Sequence, residues 1–325
     1  MRRILALAGA AMILAGPAHA QDFTFKMGHA ASSKHLFQTG LDIFAEKVAE
    51  KTDGKVKIEV YGDRQLGDDK QLLEGLQIGV IDGALVSAPV LPLVIGATSF
   101  DALQLPFVVS SYEGLAEVLD SPVGQELLDT LDDKQIKGLG YVEAGQRHFL
   151  AKDKQVQSIE DFAGLKTRIV PIPLHKATWE AVGVNPIGMA YGEVYSALET
   201  GTIDAVEINL SSVQSESLYE PAKHVTKTGH YFWPGVIMMS GMSWNKLSDE
   251  LKAALVEAGH ETTREQYKIA ADQEAETVAF LKEQGVEIGE LEDIAAMQAK
   301  TKPVVDEWVK KDPLIQKFYD QFQGR

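Results

Sequence analysis

SIEDFAGLKTRIVPIPLHKATWEAVGVNPIGMAYGEVYSALETGTIDAVEIN, residues 158–209, decides the fold. A short turn opens it, with Ser158 followed three residues on by Asp161. A β-like run over 166–170 comes next and carries Arg168 at its middle. Pro171 and Pro173 end that strand, a helical pattern runs over 174–182, and Gly183 stops it. A second helix over 193–200 stops at Gly201, and a strand over 203–208 carries Asp204 and Glu207. Strands alternating with helices give a mostly parallel sheet with crossover helices. Ligands meet such sheets at the carboxyl ends of the strands, where Arg168, Glu207 and Asn209 fall. An arginine set among apolar residues and aimed at a crevice asks for an anionic partner.

The same grammar extends outward. Phe23, Phe25 and Met27 alternate with polar residues as a strand should, 28–33 reads as a loop, and 36–52 as a helix. That helix puts Phe37, Leu41, Phe44 and Val48 on one face, and Val56, Ile58 and Val60 alternate in the next strand. The loop after the first strand makes His29 and Ser32 ligand candidates; a solvated or capping loop residue is the other reading of His29. Residues 65–69 introduce a helix that runs to Ile78, 81–86 reads as a buried strand, and Ser87 leaves it in a loop. Residues 103–109 read as core or edge strand, 113–131 as one helix, and 138–143 and 145–150 as two strands. Around Gly145 the chain is expected to cross into a second domain. Beyond Asn209, 211–219 reads as helix, 230–235 as an aromatic-rich turn, and 236–240 as an apolar strand returning to the first domain. Residues 248–284 hold no proline and a single glycine, Gly259, which fits one helix long enough to span both domains. The tail, 290–322, reads as amphipathic helices.

The first twenty residues are expected to be an export leader: Arg2 and Arg3, an apolar run over 4–16, and Ala18–His19–Ala20 before a cut after Ala20. The apolar run is too short to span a bilayer, and no later stretch is long enough. Without the leader about 305 of the 325 residues remain, enough for two domains. There is no cysteine, hence no disulfide, lipid attachment or thiolate metal site. The formal charge of −16 includes the leader's two arginines and no leader acid, so the remaining chain stands at −18. Such an acidic chain excludes nucleic acid or anionic lipid as a partner held by a general field. An anionic ligand would need a locally positive pocket, which makes the place of each arginine informative.

Catalytic constellations are missing. No GxSxG, HExxH, P-loop or complete GxGxxG occurs, and the eight histidines include no pair at helical spacing for a metal. Asp204 and Glu207, three apart on one strand, face opposite sides and cannot act as an acid/base pair. No enzyme, cofactor or metal site is expected. Arg147 and Arg168 each lie in a strand-like, mostly apolar context, where the planar guanidinium fork suits a carboxylate. A salt bridge to a protein carboxylate is the alternative for each. Tyr191 and Trp233 are either core aromatics or ligand-facing walls. Glu207 and Asn209 suit ligand hydroxyls, although Glu207 could equally neutralise an arginine.

From Phe23 to the C-terminal helices the chain resembles the substrate-binding proteins of tripartite ATP-independent periplasmic (TRAP) transporters. The markers are G-D-R-Q-L-G-D-D (62–69), Leu105-Pro106-Phe107, S-I-E-D-F-A-G-L-K-T-R (158–168), E-V-Y-S-A-L-E-T-G-T-I-D (193–204), and Tyr219-Glu220 with Lys223. The resemblance implies a two-domain periplasmic-binding-protein-like α/β fold. Each domain would be a mixed, mostly parallel sheet flanked by helices, with a long helix spanning both. The expected division is 21–144 with 234–274 as domain I and 145–233 with 275–325 as domain II, the ligand cleft lying between them. It further implies that Arg168 is the main carboxylate-binding arginine, Arg147 a second ligand-contacting one, and Tyr191 a pocket-lining aromatic. Glu207 and Asn209 match the acid and second asparagine of a D-G-x-E-N-N form, and Ser87, His29 and Trp233 match positions that vary with substrate.

Two departures bear on the ligand. Apolar residues follow Arg168 (Ile169-Val170-Pro171-Ile172), and Ile208 and Ala205 replace an asparagine and a glycine of the D-G-x-E-N-N form. They argue against a long, heavily hydroxylated acid such as sialic acid. The expectation is a periplasmic receptor for a small carboxylate that closes on its ligand and serves membrane permease subunits, as a monomer without membrane insertion of its own. A short hydroxy or sugar acid ranks first, a C4-dicarboxylate second, and an uncharged or aminated ligand third. A secreted enzyme or a sensor-partner protein using the same cleft is the reading from another class.

Overall fold

The computed structural model describes residues 23–323, so the expected leader and its cleavage site lie outside the described residues. The described residues form ten strands: β1 (Phe23–His29), β2 (Val56–Tyr61), β3 (Gly83–Ser87), β4 (Ile136–Ala151), β5 (Lys166–Ile169), β6 (Asn185–Gly188), β7 (Ala205–Asn209), β8 (His224–Lys227), β9 (Phe232–Ser240) and β10 (Glu287–Glu290). One sheet runs β2-β1-β3-β9-β4, with β1 parallel to β2 and β3 and with β9 antiparallel to both β3 and β4. The other runs β6-β5-β7-β4-β8-β10, with β5 parallel to β6 and β7 and with β4 antiparallel to β7 and β8. Helices cover both sheets, giving the two-domain α/β architecture.

β4 belongs to both lobes. Residues 136–146 pair with β9, and 147–151 pair with β7. The sequence reads as two strands here because Gly145 looks like a terminator. Instead, Gly145 at φ +117° forms a bulge between Glu143 and Gln146 that bends one continuous strand from the first sheet into the second. The buried Glu143 carboxylate accepts the Gly145 and Trp233 amides at 2.7 and 2.9 Å, satisfying donors that the interrupted ladder leaves open.

The long helix Asp249–Glu283, capped by Ser248, straps this crossing. The Gln266 side chain accepts the Glu143 N–H at 2.6 Å and donates to the Glu143 carbonyl at 2.8 Å. Leu251, Leu255 and Ala258 enter the core of the first lobe, whereas Leu281 enters that of the second. Gly259 marks the closest approach: a Cβ there would lie 1.8 Å from the Leu139 carbonyl oxygen, so only glycine lets the helix lie on β4.

Other elements differ from the sequence reading. Residues 113–131 form two helices, Tyr112–Leu119 and Pro122–Asp129, because Pro122 has no N–H to continue the first and Ser121 caps the second. Residues 103–109 are no strand but the end of a 3-10 segment (Thr98–Gln104) followed by a turn in which Phe107 adopts φ +61°. The aromatic run 230–235 is not a turn, since Phe232 already opens β9 opposite Gln146. Ile315, Phe318 and Trp308 pack with Phe100 in the first lobe, and the Trp308 indole donates to Asp101 at 3.0 Å. The helix Pro313–Asp320 therefore lies against the first lobe, whereas the helix Ile294–Trp308 packs on the helix Pro173–Val182 of the second and reaches the first only at its end; Leu291 and Met297 stay with Phe162 and Trp179. An amphipathic pattern says that a helix covers a core, not which one.

Candidate functional site

The carboxyl ends of β1 and β3 face those of β5 and β7, and a cavity of about 200 Å³ lies between them. Of the residues singled out in the sequence, Arg147, Arg168, Tyr191, Trp233 and Ser87 line it. His29, Glu207 and Asn209 do not.

Pairing of β4 with β7 explains the last two. Arg147 lies directly opposite Asn209, and Phe149 opposite Glu207, so Arg147, Asn209 and Glu207 share one face although some sixty residues separate them. The Arg147 Nε donates to Glu207 Oε2 at 2.8 Å, Nη2 lies 2.8 Å from the same oxygen, and Nη1 donates to Asn209 Oδ1 at 3.1 Å. The Tyr231 hydroxyl adds a donor to Glu207 Oε2 at 3.0 Å, and the guanidinium stacks 3.8 Å from the centroid of Trp233. Burial pushes the Glu207 carboxyl up, but Arg147 and His230 outweigh it and hold the group below the usual carboxylate range. Glu207 and Asn209 thus neutralise and orient Arg147.

Arg168 is different. It leaves β5 beside β7, is only 2% exposed, and uses Nε and Nη2 on the single Met189 carbonyl at 3.2 and 2.9 Å. Among the described residues no carboxylate is paired with it, and its Nη1 makes no hydrogen bond. Burial pushes the guanidinium down to about 10, with Arg147 adding to that and Glu207 opposing it, so it is charged at neutral pH.

His29 proves to be the last residue of β1, not part of a loop. Its ring bonds Gln38 Oε1 at 2.9 Å, which ties β1 to the following helix and keeps His29 out of the cavity. His35 lines the cavity instead, as the N-cap of the helix Leu36–Lys51. Its Nδ1 accepts the Phe37 N–H at 3.1 Å, so Nε2 carries the proton and donates to Ser212 Oγ at 3.0 Å. Ser32 donates its N–H to Glu216. Asp69 and Arg64 also reach the cavity, both from the G-D-R-Q-L-G-D-D run, whose charged residues at the mouth of a helix were the available signal. Burial pushes the Asp69 carboxyl up to about 7, against the neighbouring Ser87, which lowers it. Val90, Leu93 and Val94 from one lobe and Val170 and Pro171 from the other make the remaining wall apolar.

The site therefore offers one buried, unneutralised guanidinium (Arg168), two that are already paired (Arg147 with Glu207, Arg64 with Glu216), an exposed Lys70, a few polar groups, and apolar walls. No helix of the described residues is long and apolar enough to cross a membrane. Residues 27–312 match the family model described as bacterial extracellular solute-binding protein, family 7. The chain is 31% identical to the C4-dicarboxylate-binding periplasmic protein DctP of Rhodobacter capsulatus, over 95% of each chain. Among solved structures it resembles a sugar acid binding protein of Advenella mimigardefordensis in complex with galactonate, at TM-score 0.87 and 27% identity over 92% of this chain and 97% of that one. It also resembles a TRAP periplasmic solute binding protein of Bordetella bronchiseptica whose ligand density is assigned to pantoate. There the TM-score is 0.86 and the identity 33%, over 92% of this chain and 99% of that one.

Proposed function

The chain belongs to bacterial extracellular solute-binding protein family 7, the solute receptors of TRAP transporters, and from that premise we propose that its ligand is a short hydroxy acid with a single carboxylate. The observation that carries this reading is Arg168: a buried cation facing the cavity without a protein counter-charge is costly until an anion arrives. Its free Nη1 and the neighbouring guanidinium of Arg147 suit a carboxylate bound in the fork. Arg147 is neutralised by Glu207, Arg64 is paired with Glu216, and Lys70 lies exposed beside Glu74, so a second carboxylate has no buried, unmatched cation to meet, which disfavours a C4-dicarboxylate. Ser87 and Asp69 suit a ligand hydroxyl, and the walls of Val90, Val94, Val170 and Pro171 suit a compact body with few further polar groups. A cavity of about 200 Å³ lies below the roughly 300–1,000 Å³ of drug-sized sites, in keeping with a short acid. Galactonate and pantoate, named for the similar structures, are both hydroxy acids with one carboxylate.

In this reading the protein is exported, loses its leader after Ala20, and works in the periplasm as a monomer that binds without chemical turnover. The lobes pivot where β4 bends at Gly145, close on the acid, and present the closed form to the permease subunits, ligand shifting the open–closed equilibrium. Thermal denaturation against a panel of small acids tests it. An acid at a hundred times its Kd adds about 2.7 kcal/mol, a rise of a few degrees. A shift with monocarboxylate hydroxy acids, lost in Arg168→Ala, supports the reading; a shift only with dicarboxylates, or none after removal of co-purified ligand, sinks it.

A further inference from the structure

The loop around Arg64 in the first lobe meets Glu216 of the second across the mouth of the cavity. Asp63 and Arg64 both adopt left-handed backbone, φ +53° and +60°, which non-glycine residues keep only where their surroundings hold them. Here they are held. The Asp63 N–H donates to the Ala31 carbonyl at 2.8 Å, the Asp63 carboxylate accepts the Ser33 N–H at 2.9 Å, and the Gly67 N–H donates to the Arg64 carbonyl at 3.0 Å. So pinned, the loop aims Arg64 at the opposite lobe. Its Nη2 pairs with Glu216 Oε2 at 3.2 Å, and its guanidinium lies 5.2 Å from the centroid of the Tyr191 ring. The other Glu216 oxygen accepts the Ser32 N–H at 2.8 Å. Glu216 directly follows the helix Leu210–Ser215, whose Ser212 takes the His35 hydrogen bond.

Three first-lobe groups, Ser32, His35 and Arg64, thus converge on one short second-lobe segment, and every one of these contacts breaks when the lobes part. We propose that Arg64 and Glu216 form a latch that sets how long the closed protein holds its ligand, while Arg168 sets whether the ligand is recognised. This rests on the proposed capture of a carboxylate. The ion pair is partly buried, with Arg64 30% and Glu216 15% exposed, so it is only weakly screened. It forms after encounter, as the lobes close, and a bound acid leaves only when they reopen. Its free energy therefore enters the dissociation rate and not the association rate. The strain in the loop serves the same end, since it presents Arg64 in one orientation.

The test is stopped-flow tryptophan fluorescence on the full chain, with galactonate, D-erythronate, pantoate, lactate and succinate as probes. Glu216→Gln keeps an acceptor for Ser32 and removes the charge. Arg64→Gly removes the guanidinium and places at φ +60° the residue that adopts it most freely, so folding is preserved. Each variant should raise the dissociation rate of the bound acid about ten-fold, leave the association rate within about three-fold, and leave the unliganded melting temperature unchanged. The double variant should be no faster than either single one. Unchanged dissociation, equal changes in both rates, or fully additive effects overturn the latch while carboxylate capture stands. A wild-type protein that responds to no acid overturns capture and the latch together.

Discussion

β7 is flanked by two strands that each bring a buried arginine to the same cavity, and the two arginines have opposite situations. Arg147 on β4 is saturated by Glu207, Asn209 and the face of Trp233. Arg168 on β5 has one backbone carbonyl and no counter-charge among the described residues. Both are 2% exposed, so burial does not distinguish them. Partner accounting does: Glu207 matches the charge of Arg147, and no carboxylate among the described residues matches that of Arg168, which is why the ligand is proposed to meet Arg168.

The contrast can be broken by mutation. Arg147→Ala strands Glu207 as an uncompensated buried charge and should cost about 3–5 kcal/mol of folding stability, read as a fall in the urea midpoint. Adding Glu207→Gln should return much of that loss; a single variant as stable as the parent would show that the pair is not what holds this part of the fold. Arg168→Ala should act the other way. It should remove about 2–5 kcal/mol of ligand affinity by calorimetry while leaving the unliganded melting temperature level or higher, because an unmatched buried charge is gone.

Titration sharpens the comparison further. Burial holds His35, His148 and His175 at about 3, below the ordinary value near 6.5, so the unfolded chain takes up more protons as the pH falls. Stability should be full well above pH 6.5 and decline toward pH 3, each of the three histidines contributing a loss of roughly 2 kcal/mol by pH 5. Glu207, held low by Arg147 against burial, adds a second loss below its unfolded value near 4.3. Urea midpoints across pH would show both limbs, and His175→Gln should flatten the upper one. The smallest expected effect belongs to Trp233→Leu, which removes the stacking on Arg147 at 3.8 Å but leaves its hydrogen bonds. Binding should weaken about five-fold, as suits a cation–π contact of roughly 1 kcal/mol. A loss as large as that of Arg168→Ala would mean that Arg147, too, carries the ligand.

Much of this was legible in local pattern. Gly183 ends the helix Pro173–Val182 in left-handed backbone, Ser248 caps the long helix, and Arg168 falls on a strand in the resolved arrangement as the motif predicts. The short strands β6, β8 and β10 escaped because each holds only four residues and, unlike the equally short β5, is not followed by a clear stop such as Pro171. His29 reads as a loop residue because the alternation stops at Met27, whereas β1 runs two residues further to include it; its ring turns to Gln38 while His35 faces the cavity.

What the sequence determined by itself was whatever depends on near neighbours: the alternation of strands and helices, the uninterrupted helix around Gly259, and the presence of arginines among apolar residues in a chain without catalytic motifs. What the tertiary structure alone decided was which charges meet. Antiparallel register places Glu207 beside Arg147 rather than Arg168, and a bulge at Gly145 joins two apparent strands into the connection between lobes. Charge pairing depends on contacts between residues some sixty positions apart or more, and no local pattern encodes which partner arrives.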